Sequence, residues 1–444
     1  MKNHAQFPIY VINLKKRPER LQSIQHEFLG RNEFKVTIVE AIEHPNGAIG
    51  LWQSIRSVFS KVTDEEFIII CEDDHQFTDA YSPEILASCI DEARKNDADV
   101  LLGGVSWFTE AAQIAEYLFS VETFSATQFV VVFSKFYKQI LDADFGDHDS
   151  ADYKIAALST KKFILFPFIS TQKEFGYSDA TSKNDNFGRV TAIFNSAIQR
   201  LSLLNQIWKF YDTNPVTELP VSDYQATPHQ VISTYILASD PDALQMDKIR
   251  EQFKDKHEFD TTIVRIAKRE TDNQGFLYFI QEVIKLAIAH DEDKIVICNS
   301  NHQFTSTYTS DYFFECIQLA QNANAKIISG GTDRFGSAVA VQTNLYWVDW
   351  FTNAQFVVLF KSCFDAILRL PKTHHLSLSM IYNNASSNKL LIYPFISRRL
   401  DSESEPGNQE AMAENYKRMN FMRNEYIKYS LPSSRHLSYY GETY

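Results

Sequence analysis

No two cysteines in this sequence stand at a CxxC or zinc-ligand spacing; Cys71, Cys89, Cys298, Cys316 and Cys363 are scattered singly. Their odd number and isolation give no sign of a disulfide framework or a structural zinc, and reduced, buried thiols are the simplest account. Positive charge is also short. A formal net charge of −13 argues against tracking a phosphate backbone, which takes clustered Lys and Arg. No nucleic-acid partner is expected, although a nucleotide held through a metal stays open. No apolar run nears the roughly 20 residues of a membrane helix. MKNHAQF passes into a strand pattern without a basic region, apolar core and small-residue cleavage site, so no secretory signal is read. These absences together point to a cytoplasmic protein, at most peripheral to an inner membrane.

What is present is core-forming material. Hydrophobic residues make up 44% and charged residues 22%, with 34 Phe and 21 Tyr, the profile of a globular chain with large apolar cores. At 444 residues the chain exceeds one ordinary core of roughly 100–200 residues, so at least two domains are expected.

Self-similarity supplies the division. ICEDDHQFTDAYS at 70–82 returns as ICNSNHQFTSTYT at 297–309, an offset of 227 residues. The same offset links Cys89 with Cys316, Gly103-Gly104 with Gly330-Gly331, ATQFVVVF with NAQFVVLF, and the two PFIS segments. Upstream it becomes 225, pairing NEFKVTIV with HEFDTTIV and Gly50 with Gly275. The chain therefore reads as a tandem duplication. Residues 1–211 form the first domain with a trailing helix, 212–228 a linker, 229–430 the second domain with a C-terminal helix, and 431–444 a flexible tail.

Within the first copy, YVINL, FKVTIVEAI, FIIIC, ADVLLGGV, ATQFVVVFS and KKFILFPFIS read as strands. RPERLQSIQHEFLG, GAIGLWQSIRSVFSKV, SPEILASCIDEARKN and KFYKQILDAD read as helices. The fold class expected is α/β, two tandem Rossmann-like domains with a mostly parallel sheet, and ligands at the strand carboxyl ends. The last helix, AMAENYKRMNFMRNEYIKYS, mixes charges and aromatics. A solvated helix packed by its aromatics is the favoured reading, with contact to a membrane surface or an acidic partner as the alternative.

FIIICEDDHQF is the central stretch. Phe67, Ile68, Ile69 and Ile70 suit a strand buried on both faces, and Glu72, Asp73 and Asp74 follow at its carboxyl end. In extended backbone Glu72 and Asp74 share a side, so two carboxylates can converge on one cation. A solvated acidic turn is the alternative.

These segments, in this order, resemble the family-25 glycosyltransferases, which include lipopolysaccharide and collagen galactosyltransferases. YVINLKKRPERL resembles the family's opening strand and N-L-x-x-R-x-x-R turn, GAIGLWQSIRSVF its E-I-G-x-x-x-S-H helix, and IIICEDDHQF its strand ending in E-D-D. ADYKI and PFISTQKEFGYSD resemble its closing I-D-x-x-L and Q-x-x-x-S-D segments. Ala48 stands where the family usually has an acid, and Ser57-Val58 where it often has Ser-His.

The resemblance implies that the two tandem domains are GT-A-like, and that the first is an inverting, metal-dependent transferase that moves a galactose-like hexose from a UDP-linked donor to a glycan or lipopolysaccharide-type acceptor. Mg²⁺ or Mn²⁺ would offset charge on the diphosphate leaving group. Asp74 would bind it directly, and Glu72 or Asp73 directly or through water. Asn13, Arg17 and Arg20 would hold base, ribose and phosphate, with Asp73 beside them. The general base would come from Asp147, Asp149, Asp152 or Asp179; Asp152 occupies the I-D-x-x-L position, and Asp179 has acceptor or metal binding as its alternative role.

The second copy acts as an internal control. Glu72, Asp73 and Asp74 meet Asn299, Ser300 and Asn301; Asp152 meets Ser379, Asp179 meets Pro406 and Asn13 meets Ala238. Amides and hydroxyls supply no anionic charge for Mg²⁺ or Mn²⁺, so the second copy is expected to be silent: a scaffold, an acceptor-binding module or a dimer surface. His75 and His302 persist in both and read as structural, as do His148 and His375. Two other readings stay open. One is a non-catalytic carbohydrate- or nucleotide-binding protein; the other is a nucleotidyltransferase, which would use similar acids on a related sheet.

Overall fold

The computed structural model describes residues 6–62, 64–177, 186–216, 231–239, 241, 243–266, 268–371, 376–400 and 406–430. Asp179, His375, most of the expected linker and the expected tail lie outside these residues. The chain divides into two compact units, Met1–Asn205 and Gln206–Tyr444, with the boundary inside the helix Arg189–Thr213.

The first unit is built on an eight-stranded sheet. In spatial order its strands are Phe34–Glu40, Phe7–Asn13, Phe67–Glu72, Phe129–Phe133, Val100–Leu102, Lys162–Leu165, Leu118–Val121 and Ala111–Ala115. Six of the eight run one way, while Phe129–Phe133 and Leu118–Val121 run against them. The α/β class and mostly parallel direction follow from apolar runs such as Ile68–Cys71 and Phe129–Val132. In a sheet covered on both faces these can be wholly buried, and they are at most 3% exposed. The last two strands were not expected from the sequence. They form a short antiparallel hairpin with an irregular register between Gln113 and Ala115, which breaks the alternation that would reveal it.

Helices follow local signals. Pro18 opens Pro18–Glu27, and Gly30, at φ +80°, takes the left-handed backbone beyond its end. Asn46 caps Gly47–Phe59 by accepting from the Ala48 N–H at 3.1 Å. That helix buries Trp52, Ile55, Val58 and Phe59, each worth about 1.5–3 kcal/mol of apolar transfer, and leaves Leu51 on the wall of a cleft.

The second unit repeats the sheet order strand for strand. Val131 opposite Ile69 becomes Val358 opposite Val296. Gly104 and Gly331 persist because the backbone passes so close there. A Cβ would lie 2.1 Å from the Ser170 carbonyl oxygen in one unit and 2.0 Å from that of Ser397 in the other. The offset changes at the closing helices. Arg200 lies over Phe108 and donates to its carbonyl, and Arg418 does the same at Phe335. These helices therefore correspond at 218 residues, and the constant-offset pairing of Asp179 with Pro406 does not extend to them. The helix Pro406–Ser430 buries Asn415, Met419 and Met422, and Tyr416 packs 5.4 Å from Phe395. No described helix is long and apolar enough to cross a membrane.

His302 is 3% exposed, shares a hydrogen bond of 2.8 Å with the Ser397 hydroxyl and packs on Phe253, Phe304 and Phe356. His75 repeats this with Ser170, Phe28, Phe77 and Phe129. Burial, with Lys256 adding to it, holds the His302 pKa down to about 3. Above an unfolded pKa of about 6.5 both states are neutral, and below it only the unfolded chain takes the proton. Stability is therefore lost as pH falls from about 6.5 toward 3. Between pH 6.5 and 4.5 the loss at this residue is about 2–3 kcal/mol. Urea unfolding of His302→Phe at the two pH values should show a pH dependence reduced by that amount; an unchanged dependence would contradict the buried, neutral imidazole.

Candidate active site

The acid-tipped strand ends at the wall of a cleft of about 640 Å³ in the first unit. Glu72 and Asp74 line it, as strand alternation requires, and Asp73 does not. The Asp73 carboxylate instead accepts from Asn13 Nδ2 at 2.8 Å and from Arg20 Nη1 at 3.0 Å. Arg20 is 9% exposed. It also stands 3.7 Å from Asp74, donates to the Tyr177 carbonyl at 2.9 Å, and lies against the Phe175 and Tyr177 rings. Arg17 covers the Tyr177 ring at 4.0 Å.

Asn13, Arg17, Arg20 and Asp73, expected to hold base, ribose and phosphate, are thus absent from the cleft lining. A buried guanidinium needs a carboxylate, and Asp73 provides it. The network underpins the strand end rather than forming its open face.

Arg20 pairs with two of the three successive carboxylates, Asp73 at 3.0 Å and Asp74 at 3.7 Å. Burial first, and the charge of Asp74 next, raise the Glu72 pKa well above the ordinary range; the Thr127 hydroxyl, donating at 2.6 Å, opposes this. Burial and Asp73 raise Asp74, with Arg20 opposing. Asp74 keeps 19% of its side-chain surface, so its desolvation is incomplete, but its Oδ1 is buried without a hydrogen-bond partner. An orphaned anionic oxygen beside a second carboxylate fits a hard divalent cation. Among the described residues no group of three or more His, Cys, Asp or Glu is arranged to hold a metal. Two carboxylates suffice where substrate phosphates and water complete the shell.

Asp152 lies across the same cleft, in the first turn of the helix Ala151–Leu158. Its Oδ2 accepts from Ser125 Oγ at 2.7 Å and from the Ala126 N–H at 3.0 Å; its Oδ1 accepts from Ser150 Oγ at 2.6 Å and from the Tyr153 N–H at 2.8 Å. Two of these donors are fixed backbone groups and two are rotatable hydroxyls. The fixed pair orients the carboxylate, and to receive a proton it must exchange a serine hydroxyl for a substrate hydroxyl. Ala126 has φ +99°, a strained backbone that Asp152 helps to hold. Asp147 and Asp149 do not line the cleft. Asp149 caps the Gly146 N–H at 2.8 Å and pairs with Lys154 at 2.9 Å.

In the second unit the same positions are neutral as a set. Gln245, at the place of Arg20, donates to Ser300 Oγ at 3.1 Å and Asn301 Oδ1 at 3.3 Å. Ala354 replaces Thr127. Ser379 replaces Asp152 and keeps one of its contacts, accepting from the Asn353 N–H at 2.8 Å. Cation and anions have gone together, as buried charge requires.

Gln172, from the PFISTQKEFGYSD segment, also borders the cleft, as do Thr127, Ser125, Ser150, Arg189 and Arg200, which carried no motif. Thr127 and Arg20 did carry a signal in the internal alignment. Thr127 becomes Ala354 while Gln128 and Phe129 persist as Gln355 and Phe356, and Arg20 changes together with the acids it touches.

No family model matches the chain, and no curated protein matches its sequence. Solved structures with a similar chain path include A197 from STIV, 11% identical over 39% of this chain and 87% of that one, at a TM-score of 0.29. An apo UDP-glucose pyrophosphorylase is 10% identical over 44% and 82%, at 0.28. HddC from Yersinia pseudotuberculosis is 11% identical over 40% and 96%, at 0.23. Likenesses this distant carry no argument about family or activity.

Proposed function

We infer that the first unit is an inverting glycosyltransferase of the family-25 kind, using a UDP-linked hexose and a divalent cation, and that the second unit is catalytically silent. The observation that carries this reading is the pair Glu72 and Asp74, with an orphaned Asp74 oxygen, facing Asp152 across one cleft. The cation, held by Glu72 and Asp74, would supply charge stabilisation for the departing diphosphate. Thr127 orients Glu72, and Arg20 holds the strand end through Asp73. Asp152, fixed by two backbone N–H groups, receives the acceptor hydroxyl proton as that oxygen attacks the anomeric carbon from the face opposite the leaving group. Inversion needs no covalent sugar intermediate, and one base on the acceptor side suffices.

The experiment is donor turnover by the full chain with Mn²⁺, using UDP-α-galactose and UDP-α-glucose. UDP release with a β-configured sugar product supports the reading. An α product, or no release from either donor, overturns it.

A further inference from the structure

We propose that Trp107 and Tyr153 form a platform on which a pyranose of the acceptor glycan stacks, beside the Asp152 carboxylate. The identity of the ligand as an acceptor rests on the transferase reading above; the platform itself rests on geometry.

Trp107 and Tyr153 both line the cleft that holds Glu72, Asp74 and Asp152. Large aromatics are normally buried, yet these two are 46% and 50% exposed, while adjacent Phe108 is 2% exposed. Their ring centres lie 6.2 Å apart with planes at 57°, so they form an angled pair whose faces are not stacked on each other. Both sit on Asp152's side of the cleft. Tyr153 follows Asp152 in the same helix. Trp107 pairs in register with Ser125, whose hydroxyl donates to Asp152.

The second unit separates fold from ligand. At the same offset Trp107 becomes Arg334 and Tyr153 becomes Met380, whereas Phe108 and Phe124 persist as buried Phe335 and Phe351. A cavity of only about 10 Å³ borders Asp333, Asn353, Arg399 and Asn415, which correspond to Ser106, Ala126, Gln172 and Ala197 of the cleft. Asn415 stands where the corresponding helix of the first unit has Ala197, and donates to the Thr332 and Asp333 carbonyls. The two exposed aromatics are replaced in the second unit, and the buried ones are kept.

A pyranose has an apolar C–H face and a rim of hydroxyls. The first suits an indole or phenol face, and the second suits the carboxylate and serine hydroxyls alongside. A nucleobase could also stack on these rings. Asp152 as proton acceptor places the acceptor sugar on this side, and the acid pair places the diphosphate on the other.

The test is saturation-transfer NMR of methyl β-galactoside and methyl β-glucoside with the full chain in the presence of UDP and Mn²⁺, with UDP affinity measured separately by calorimetry. Wild type should transfer saturation most strongly to the protons of one sugar face. Trp107→Ala and Tyr153→Ala should each weaken glycoside binding about tenfold with UDP affinity unchanged, and Trp107→Phe should restore most of it. Neither glycoside binding to wild type, or equal binding by wild type and Trp107→Ala, would overturn the platform. A parallel fall in UDP affinity would assign the rings to the base and overturn it as well. Glycoside binding that depends on Trp107 in a chain that binds no UDP would uphold the platform and count against the transferase reading alone.

Discussion

Asp74→Asn is expected to lower donor turnover by about 10³-fold or more, while Asn301→Ala, at the matching place in the second unit, leaves it unchanged. The size of the effect follows from the small number of ligands. With two carboxylates assigned to the cation, removing one takes half of the anionic charge that would hold it. The substitution should not unfold the unit. It relieves repulsion with Glu72 and Asp73, and Arg20 keeps its closer contact with Asp73 at 3.0 Å. Thermal unfolding measured beside turnover separates the two effects. Equal losses in Asp74→Asn and Asn301→Ala would contradict the division of labour between the units.

Asp152 poses a different problem, because one carboxylate both holds the strained turn at Ala126 and is assigned to accept a proton. The second unit shows how to part the two roles, since Ser379 keeps the backbone contact without a charge. Asp152→Ser is therefore expected to fold with near-wild-type thermal stability and to lose about 10²–10⁴-fold in kcat, the usual worth of a positioned base. Asp152→Ala should lose as much activity and, with no acceptor for the Ala126 N–H, about 1–3 kcal/mol of stability as well. Near-wild-type kcat in Asp152→Ser would leave Asp152 a purely structural role and move the proton to another group.

Much of this arrangement was open to reading in the amino-acid order. The duplication exposed which positions serve the fold and which serve the first unit alone. Buried strands such as Phe67–Glu72 announced themselves because a strand covered on both faces needs no polar alternation. Direction was harder. FVVVF at 129–133 reads the same in either sense, and only its pairing with Phe67–Cys71 shows that it runs antiparallel. The hairpin at 111–121 was hidden by its bulge and by the polar residues Gln113 and Glu116.

At the site, strand alternation anticipated that Glu72 and Asp74 would share a face. It could not show that Asp73 turns back to Asn13 and Arg20, because a guanidinium at a helix start reads equally as a surface charge or an anion ligand until its partner is known. The hydroxyls of Ser125 and Ser150 were likewise silent. Serines bordering an acidic loop carry no periodicity, and their role appears only when the chain brings them within 3 Å of Asp152.

The most direct measurement is proton NMR of UDP-α-galactose with the full chain and Mn²⁺, reading the sugar released to water before it mutarotates. A cation site at Glu72 and Asp74 with single-displacement chemistry predicts that β-galactose appears first and that a chelator abolishes its release. Release of α-galactose, or release at the same rate with the metal removed, would contradict the account.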